Sequence, residues 1–386
     1  MTIKFEFITP SRILVGEGKA HEAGRLAKEF GDIALVITGS STGRIKTILD
    51  AIQANDVMYL SFPINKEPTV EIIQRGVELG ISSGCQMVIA IGGGSVMDAA
   101  KAIAVLMTNQ GEISDYLEVI GKGKSLLMPG VPLITIPTTA GTGAEVTRNA
   151  VIGSPEHNVK VSLRSPHMLA KVAIIDPLLT YSMPRNVTAS TGMDALTQLI
   201  EPFVSNQANP LTDALCKEGM DRVARSLVKA YQGAEDPAAR IDMSMASLMS
   251  GLALANAKLG IVHGFASVLG GMLNAPHGVI CARLLPPSMA VNVAAIQKRN
   301  KYDDSLPRFD LVARILTNHP DASANDGVAW VEDLGNMLEI PSLSRYGLKT
   351  NDFPTIIEKT TVASSTKGNP VTLSAEEMAA ILARAL

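Results

Sequence analysis

The chain has 386 residues, 46% of them hydrophobic and 18% charged, with 34 Lys and Arg against 37 Asp and Glu. That size suits a globular protein with two cores, and the near balance of charge excludes an electrostatic drive toward nucleic acid or an anionic membrane. Three widely spaced cysteines, Cys85, Cys216 and Cys281, argue against a disulfide framework and a cysteine-built metal cluster, and for a reducing cytoplasm. Residues 1–10 alternate like a strand and show no basic-then-apolar leader. Each later apolar run is interrupted by a charge, Pro or Gly short of membrane-spanning length.

From the start to about Asp176, short apolar runs alternate with amphipathic ones, the pattern of a parallel sheet covered on both faces. Strands are predicted over 33–38, 58–62, 87–91, 133–137 and 172–176, and helices over 21–30, 45–54, 70–80 and 96–107. Strand signals then fade, and Ala-, Leu- and Met-rich stretches such as 245–258 and 375–386 read as helices. With Pro184 interrupting any continuing helix, the division falls into 1–182, a doubly wound, Rossmann-like α/β domain, and 183–386, an all-helical domain.

The strand 87–91 runs into Gly92-Gly93-Gly94-Ser95, with Asp98 and Lys101 on the next helix. Glycines let a diphosphate approach the backbone, and the N–H groups and dipole at a helix start attract its charge. The usual dinucleotide fingerprint is incomplete, because Met97 stands where its third glycine would be. Taken alone, the turn reads equally as close helix–sheet packing. A second loop, Thr138-Thr139-Ala140-Gly141-Thr142-Gly143, leaves the end of strand 133–137 and brings hydroxyls to the same edge, where open parallel sheets bind ligands. After strand 33–38 comes Thr38-Gly39-Ser40-Ser41-Thr42-Gly43-Arg44. An acidic side chain there would bind a ribose 2′-hydroxyl; hydroxyls and Arg44 stand instead, which favours NADP(H) over NAD(H).

In Gly192-Met193-Asp194-Ala195-Leu196-Thr197-Gln198, the spacing puts Asp194 and Gln198 on one helix face. His263 and His277 can supply two imidazoles to the same point, Pro276 placing His277 at the start of a new helix. A carboxylate, an amide oxygen and two imidazoles form a mixed N/O set suited to iron or zinc. Each histidine taken singly reads as a satisfied buried imidazole.

Together the glycine turn with Asp98 and Lys101, the segment Pro137 to Glu145, Gly192-Met193-Asp194-Ala195-Leu196, His263-Gly264 and Pro276-His277-Gly278 resemble the iron-containing (group III) alcohol dehydrogenases over essentially the whole chain. The resemblance implies the α/β-then-helical architecture of the dehydroquinate synthase-like superfamily. It implies that Gly94, Ser95, Thr138, Thr139 and Thr142 face the cofactor, that Lys160 lies beside it, and that Asp194, His263 and His277 bind one divalent metal. It also implies a homodimer or larger homo-oligomer. Two positions depart from the family pattern: Gln198 replaces a second-ligand histidine, and Ser267 stands where another histidine is common. An amide oxygen is a harder, weaker donor, so affinity falls and preference shifts away from iron toward zinc, manganese or magnesium. The activity implied is reversible hydride transfer between nicotinamide C4 and a small aldehyde, ketone or alcohol, with the metal as Lewis acid. Gln198 also admits a metal-independent reductase similar to maleylacetate reductases. Outside enzymology, the competing reading is a nucleotide-binding assembly or regulatory protein. Glycerol dehydrogenase and dehydroquinate synthase fit the Gly-Met-Asp-Ala-Leu and Pro-His-Gly contexts less well.

Overall fold

The computed structural model describes residues 4–39, 43–118, 120–154, 156, 159–233, 236–299 and 305–386, without the side chains of Arg44 and Val159. They form two compact units: Thr9–Thr139 with Gly143–Tyr181, and residues 4–8 with Ala140–Thr142 and Ser182–Leu386.

The first unit is built on a six-stranded, wholly parallel sheet. Its strands are β1 (Arg12–Val15), β2 (Ile33–Thr38), β3 (Met58–Pro63), β4 (Met87–Gly92), β5 (Leu133–Pro137) and, after a hairpin, β8 (Val172–Ile175), in the order β1-β8-β5-β4-β2-β3. The continuous apolar runs MVIAIG and LITIP become strands buried at every position, as sheets covered on both faces require. The helices α1 (Ala23–Lys28), α2 (Lys46–Gln53), α3 (Val70–Ser82), α4 (Gly94–Leu106) and α5 (Ile113–Tyr116) connect them. From β2 the chain winds outward to β3, and from β4 outward through β5 to β8. The topological switch therefore lies at the carboxyl ends of β2 and β4, the place where such sheets hold ligands.

Three local features differ from the sequence reading. Residues 4–10 form no strand; Ile8 is instead held by Asn256, whose Oδ1 accepts from Ile8 N at 2.5 Å and whose Nδ2 donates to Ile8 O at 2.8 Å. The first strand is β1, four residues at the sheet edge, too short for its alternation to register. An antiparallel hairpin, β6 (Asn149–Ser154) and β7 (Val159–Arg164), also escaped notice, because the glycine and polar residues of NAVIGS blur its period.

The second unit contains α6 (Arg185–Val204), α7 (Pro210–Gln232), α8 (Pro237–Asn256), α9 (Ile261–Met272), α10 (His277–Arg299), α11 (Ser305–Thr317), α12 (Ala324–Met337), α13 (Phe353–Val362) and α14 (Ala375–Ala385). α6 is buried around nearly its whole circumference, which makes it the axis of this core. α10 corrects an expectation. Pro286 and Pro287 lie inside it, and it is long and apolar enough by length and composition to cross a membrane, yet 78% of its most apolar stretch is buried among the other helices. α8 and α9 meet at a bend of 96°, and the start of α9 lies against α6, where Val262 N donates to Glu201.

Candidate metal centre and nucleotide cradle

The helical unit gathers one cluster of ionisable side chains from three helices. Asp194, Gln198 and Glu201 lie on α6 at spacings that share a face. His263 is in the first turn of α9, and His277 opens α10. The glycine after each histidine permits this approach. A Cβ on Gly264 would lie 2.1 Å from Thr366 Oγ1, and one on Gly278 2.4 Å from the Ser190 carbonyl oxygen, so neither helix start could seat itself with a larger residue.

Asp194 is 1% exposed. Its Oδ2 accepts from Gln198 Nε2 at 3.0 Å, while its Oδ1 is buried without a hydrogen-bond partner. Facing Oδ1 are His263 Nε2 at 3.5 Å and His277 Nε2 at 3.7 Å. Glu201, which the sequence reading missed, accepts from Val262 N at 2.7 Å and lies 2.6 Å from His263 Nδ1. A carboxylate on Nδ1 fixes the ring and turns the Nε2 lone pair inward, the usual support for a metal-binding imidazole. Its sequence signal was the α6 periodicity, seven residues beyond Asp194.

Cys281 was missed as well. It lies one turn after His277 on α10, its Sγ 3.5 Å from His277 Nε2 and 3.8 Å from His263 Nε2. Asp194, His263, His277 and Cys281 thus bring one donor atom each to within 4.8 Å of one another. The four-residue spacing that pairs Asp194 with Gln198 would have found Cys281 beside His277. Gln198, expected as a ligand, is placed otherwise: its Oε1 accepts from Ser250 Oγ at 3.0 Å and its amide nitrogen faces Asp194.

The charges support one another. Burial favours a protonated Asp194, but His277 and His263 outweigh it and hold the carboxyl below its ordinary range. Burial likewise opposes charging of His263, and Cys281, Asp194 and Glu201 overcome it, so that its pKa stands well above the usual value. His277 has a side chain 45% exposed, and Cys281 and then Asp194 push its imidazole up to about 9. A field that retains protons on two imidazoles also draws a dication, which displaces them. The bare carboxylate oxygen, two inward imidazole nitrogens and a sulfur fit a divalent ion with borderline-soft preferences.

In the α/β unit the cradle is mostly backbone. β4 ends at Gly92, Gly93 caps α4 without any side-chain hydrogen bond, and Gly94 and Ser95 open the helix, leaving first-turn N–H groups for an anion. Thr138 N donates to Gly92 O at 2.9 Å, and a Cβ on Gly93 would lie 3.4 Å from Thr139, so the two loops are neighbours. Gly39 follows β2 with open space around its Cβ position, and the buried hydroxyl of Thr38 beside it has no partner. Ser40, expected with Gly39 at the cofactor, lies outside the described residues.

Asp98 and Lys160, also expected at the cofactor, have protein partners. Asp98 accepts from Val151 N at 3.1 Å and pairs with Lys101 at 2.9 Å. Lys101 also donates to Thr147 Oγ1 at 2.8 Å and to the Asn149 carbonyl. Together they tie α4 to the hairpin. Lys160 pairs with Glu67 at 2.5 Å. Thr142 groups with the helical unit, where Gly141 N donates to Ser247 Oγ at 2.7 Å and a Cβ on Gly141 would lie 2.3 Å from Thr191 Cβ.

A nucleotide cradle on a doubly wound sheet and a carboxylate–imidazole cluster in a helical unit define a metal-assisted, nicotinamide-linked oxidoreductase. Comparison with known proteins makes this specific. Residues 10–177 match the profile described as iron-containing alcohol dehydrogenase, and residues 188–386 match the C-terminal region of the Fe-containing alcohol dehydrogenase family. Alcohol dehydrogenase 4 of Saccharomyces cerevisiae is 34% identical over 390 residues, covering 98% of both chains. The 1,3-propanediol dehydrogenase of Klebsiella pneumoniae is 31% identical, covering 99% of this chain and 98% of its own. A crystal structure of a 1,3-propanediol oxidoreductase superposes with a TM-score of 0.92 at 31% identity over 100% of both chains. The chain belongs to the iron-containing alcohol dehydrogenase family. It is an oxidoreductase acting on CH–OH groups, in a family that couples NAD with a divalent metal.

Proposed function

We propose that this enzyme interconverts small aldehydes or ketones with their alcohols, using NADP(H) and a divalent cation held by Asp194, His263 and His277. The observation that carries the reading is Asp194 Oδ1, a buried carboxylate oxygen without a hydrogen-bond partner and aimed between two imidazole nitrogens at 3.5 and 3.7 Å. Without metal the charge of this oxygen is balanced only by the two imidazoles, and a divalent cation would take the place of their protons. When bound, a divalent ion supplies Lewis-acid stabilisation to a substrate oxygen as hydride reaches carbon. Glu201 holds His263 in register for that role, and Gln198 orients Asp194 by its bond to Oδ2. The cofactor diphosphate is assigned to Gly93, Gly94 and Ser95 at the start of α4, with Thr138 and Thr139 alongside. The choice of NADP(H) rests on residues 38–44, which contain no acidic side chain to repel a 2′-phosphate.

The test is removal of metal by chelation, followed by oxidation of NADPH and NADH with a panel of short aldehydes before and after metal return. Activity should disappear with the metal, return with it, and be greater with NADPH. Full turnover by metal-free protein would overturn the reading in favour of a metal-independent reductase.

A further inference from the structure

We propose that Cys281 Sγ, in place of the Gln198 carboxamide, completes the metal-binding set, giving a carboxylate, two imidazoles and a thiolate that select zinc or another thiophilic dication over magnesium and manganese. The inference rests on the reading of Asp194, His263 and His277 as ligands and names their fourth partner.

Four of the six donor separations are close to those of a tetrahedron, and the other two lie within 4.8 Å. Arms of about 2.0–2.3 Å, the usual lengths for oxygen, imidazole nitrogen and sulfur on zinc, give edges of about 3.3–3.6 Å. Four of the six edges here are 3.5 Å from His263 Nε2 to Asp194 Oδ1, 3.7 Å from His277 Nε2 to Asp194 Oδ1, 3.8 Å from Cys281 Sγ to His263 Nε2 and 3.5 Å from Cys281 Sγ to His277 Nε2. Contraction by a few tenths of an ångström closes them, within the reach of side-chain torsions. His277 and Cys281 are one turn apart on α10, so a single rigid helix presents both donors.

Gln198 is poorly placed for the same task. Its oxygen accepts from Ser250 and its nitrogen donates to Asp194 Oδ2, so neither presents a free lone pair beside Oδ1. To ligate, the amide would have to turn over and exchange both hydrogen bonds. The donor set also differs in chemistry: an amide oxygen is hard, whereas a thiolate is soft and favours zinc and cobalt over magnesium and manganese. Of the three thiols, Cys281 alone belongs to the cluster; Cys85 and Cys216 do not.

The test uses the full chain, stripped of metal and titrated with cobalt(II) alone. A thiolate-to-cobalt charge-transfer band should develop in the near ultraviolet with one equivalent, persist in Gln198→Ala and vanish in Cys281→Ser. The serine variant should bind cobalt more weakly by at least the roughly 10–100-fold that loss of an outer-shell partner brings. Zinc should displace the cobalt, and equimolar magnesium should not. Because a serine variant could fold poorly, X-ray absorption at the cobalt edge of the loaded wild-type protein provides a second readout. It should show one sulfur neighbour at about the 2.3 Å usual for a metal-bound thiolate. Visible ligand-field bands without charge transfer, and with only nitrogen and oxygen neighbours, would overturn the inference while leaving a metal site at Asp194, His263 and His277. Absence of any cobalt binding would remove both.

Discussion

Two buried charges, one in each unit, are treated in opposite ways. In the α/β unit, Lys101 lies 1% exposed within a set of oxygens from Asp98, Thr147 and Asn149, and its role is to join α4 to a hairpin. In the helical unit, Asp194 is equally buried, yet one of its oxygens has no hydrogen-bond partner. It is the only carboxylate oxygen so placed among the described residues. Unpaired hydroxyls occur in both units and cost little by comparison, because they carry no charge. A satisfied buried ion holds structure together, and an unsatisfied one marks where a further group belongs.

Removing the unsatisfied carboxylate is the most forceful way to break this contrast. Asp194→Ala should abolish metal uptake, measured by elemental analysis, and lower kcat/KM by on the order of 10³-fold or more, as expected when several kcal/mol of transition-state stabilisation is lost. Retained stoichiometric metal would show that the oxygen is not a ligand.

Glu145 tests the α/β unit through pH. It is 3% exposed, and burial raises its carboxyl to about 7 against the opposing effects of its own backbone N–H and Lys101. A raised acid pKa contributes stability that is present below the unfolded value near 4.5 and is lost as pH rises through about 7. The wild type should therefore lose on the order of 3 kcal/mol over that window, and Glu145→Gln should lack this component. Denaturant melts at pH 5 and pH 8 check the difference; parallel profiles would show that Glu145 does not titrate there.

Glu201→Gln removes the negative charge behind His263 and leaves a group of the same shape. Metal affinity should fall roughly 10–100-fold, read by competition with a chromophoric chelator, and the metal-free variant should melt below wild type because a buried ion pair is broken. A smaller but sharper effect is expected at Gly39, where a side chain has space. Gly39→Asp should weaken NADPH relative to NADH by on the order of tenfold, the effect of about 1.4 kcal/mol of repulsion, seen as a change in the ratio of their kcat/KM values.

The elements were legible where their physics is local. Continuous apolar runs announced β2, β4, β5 and β8, and the 3.6-residue period with good helix formers announced the second half. Pro276 announced the start of α10. The parts that escaped were those whose signal is shared with distant residues: the short edge strand β1, residues 4–8 held by Asn256, and α10, whose prolines and arginine suggested interruption.

By itself the sequence determined the α/β-then-helical order, the glycine turn at a strand end and the one-turn spacing of Asp194 and Gln198, because periodicity, turn chemistry and helical spacing act over a few residues. Only the tertiary structure decided which side chains meet. The 96° bend between α8 and α9 and the entry of α10 beside α6 brought His263, His277 and Cys281 to Asp194. A hydrogen bond from Ser250 and one donated to Asp194 hold Gln198 in a supporting position. Partners such as Glu67 and Val151 engaged Lys160 and Asp98. Spacing along a chain specifies the face a residue occupies, whereas the atom that a side chain reaches depends on neighbours far away in sequence.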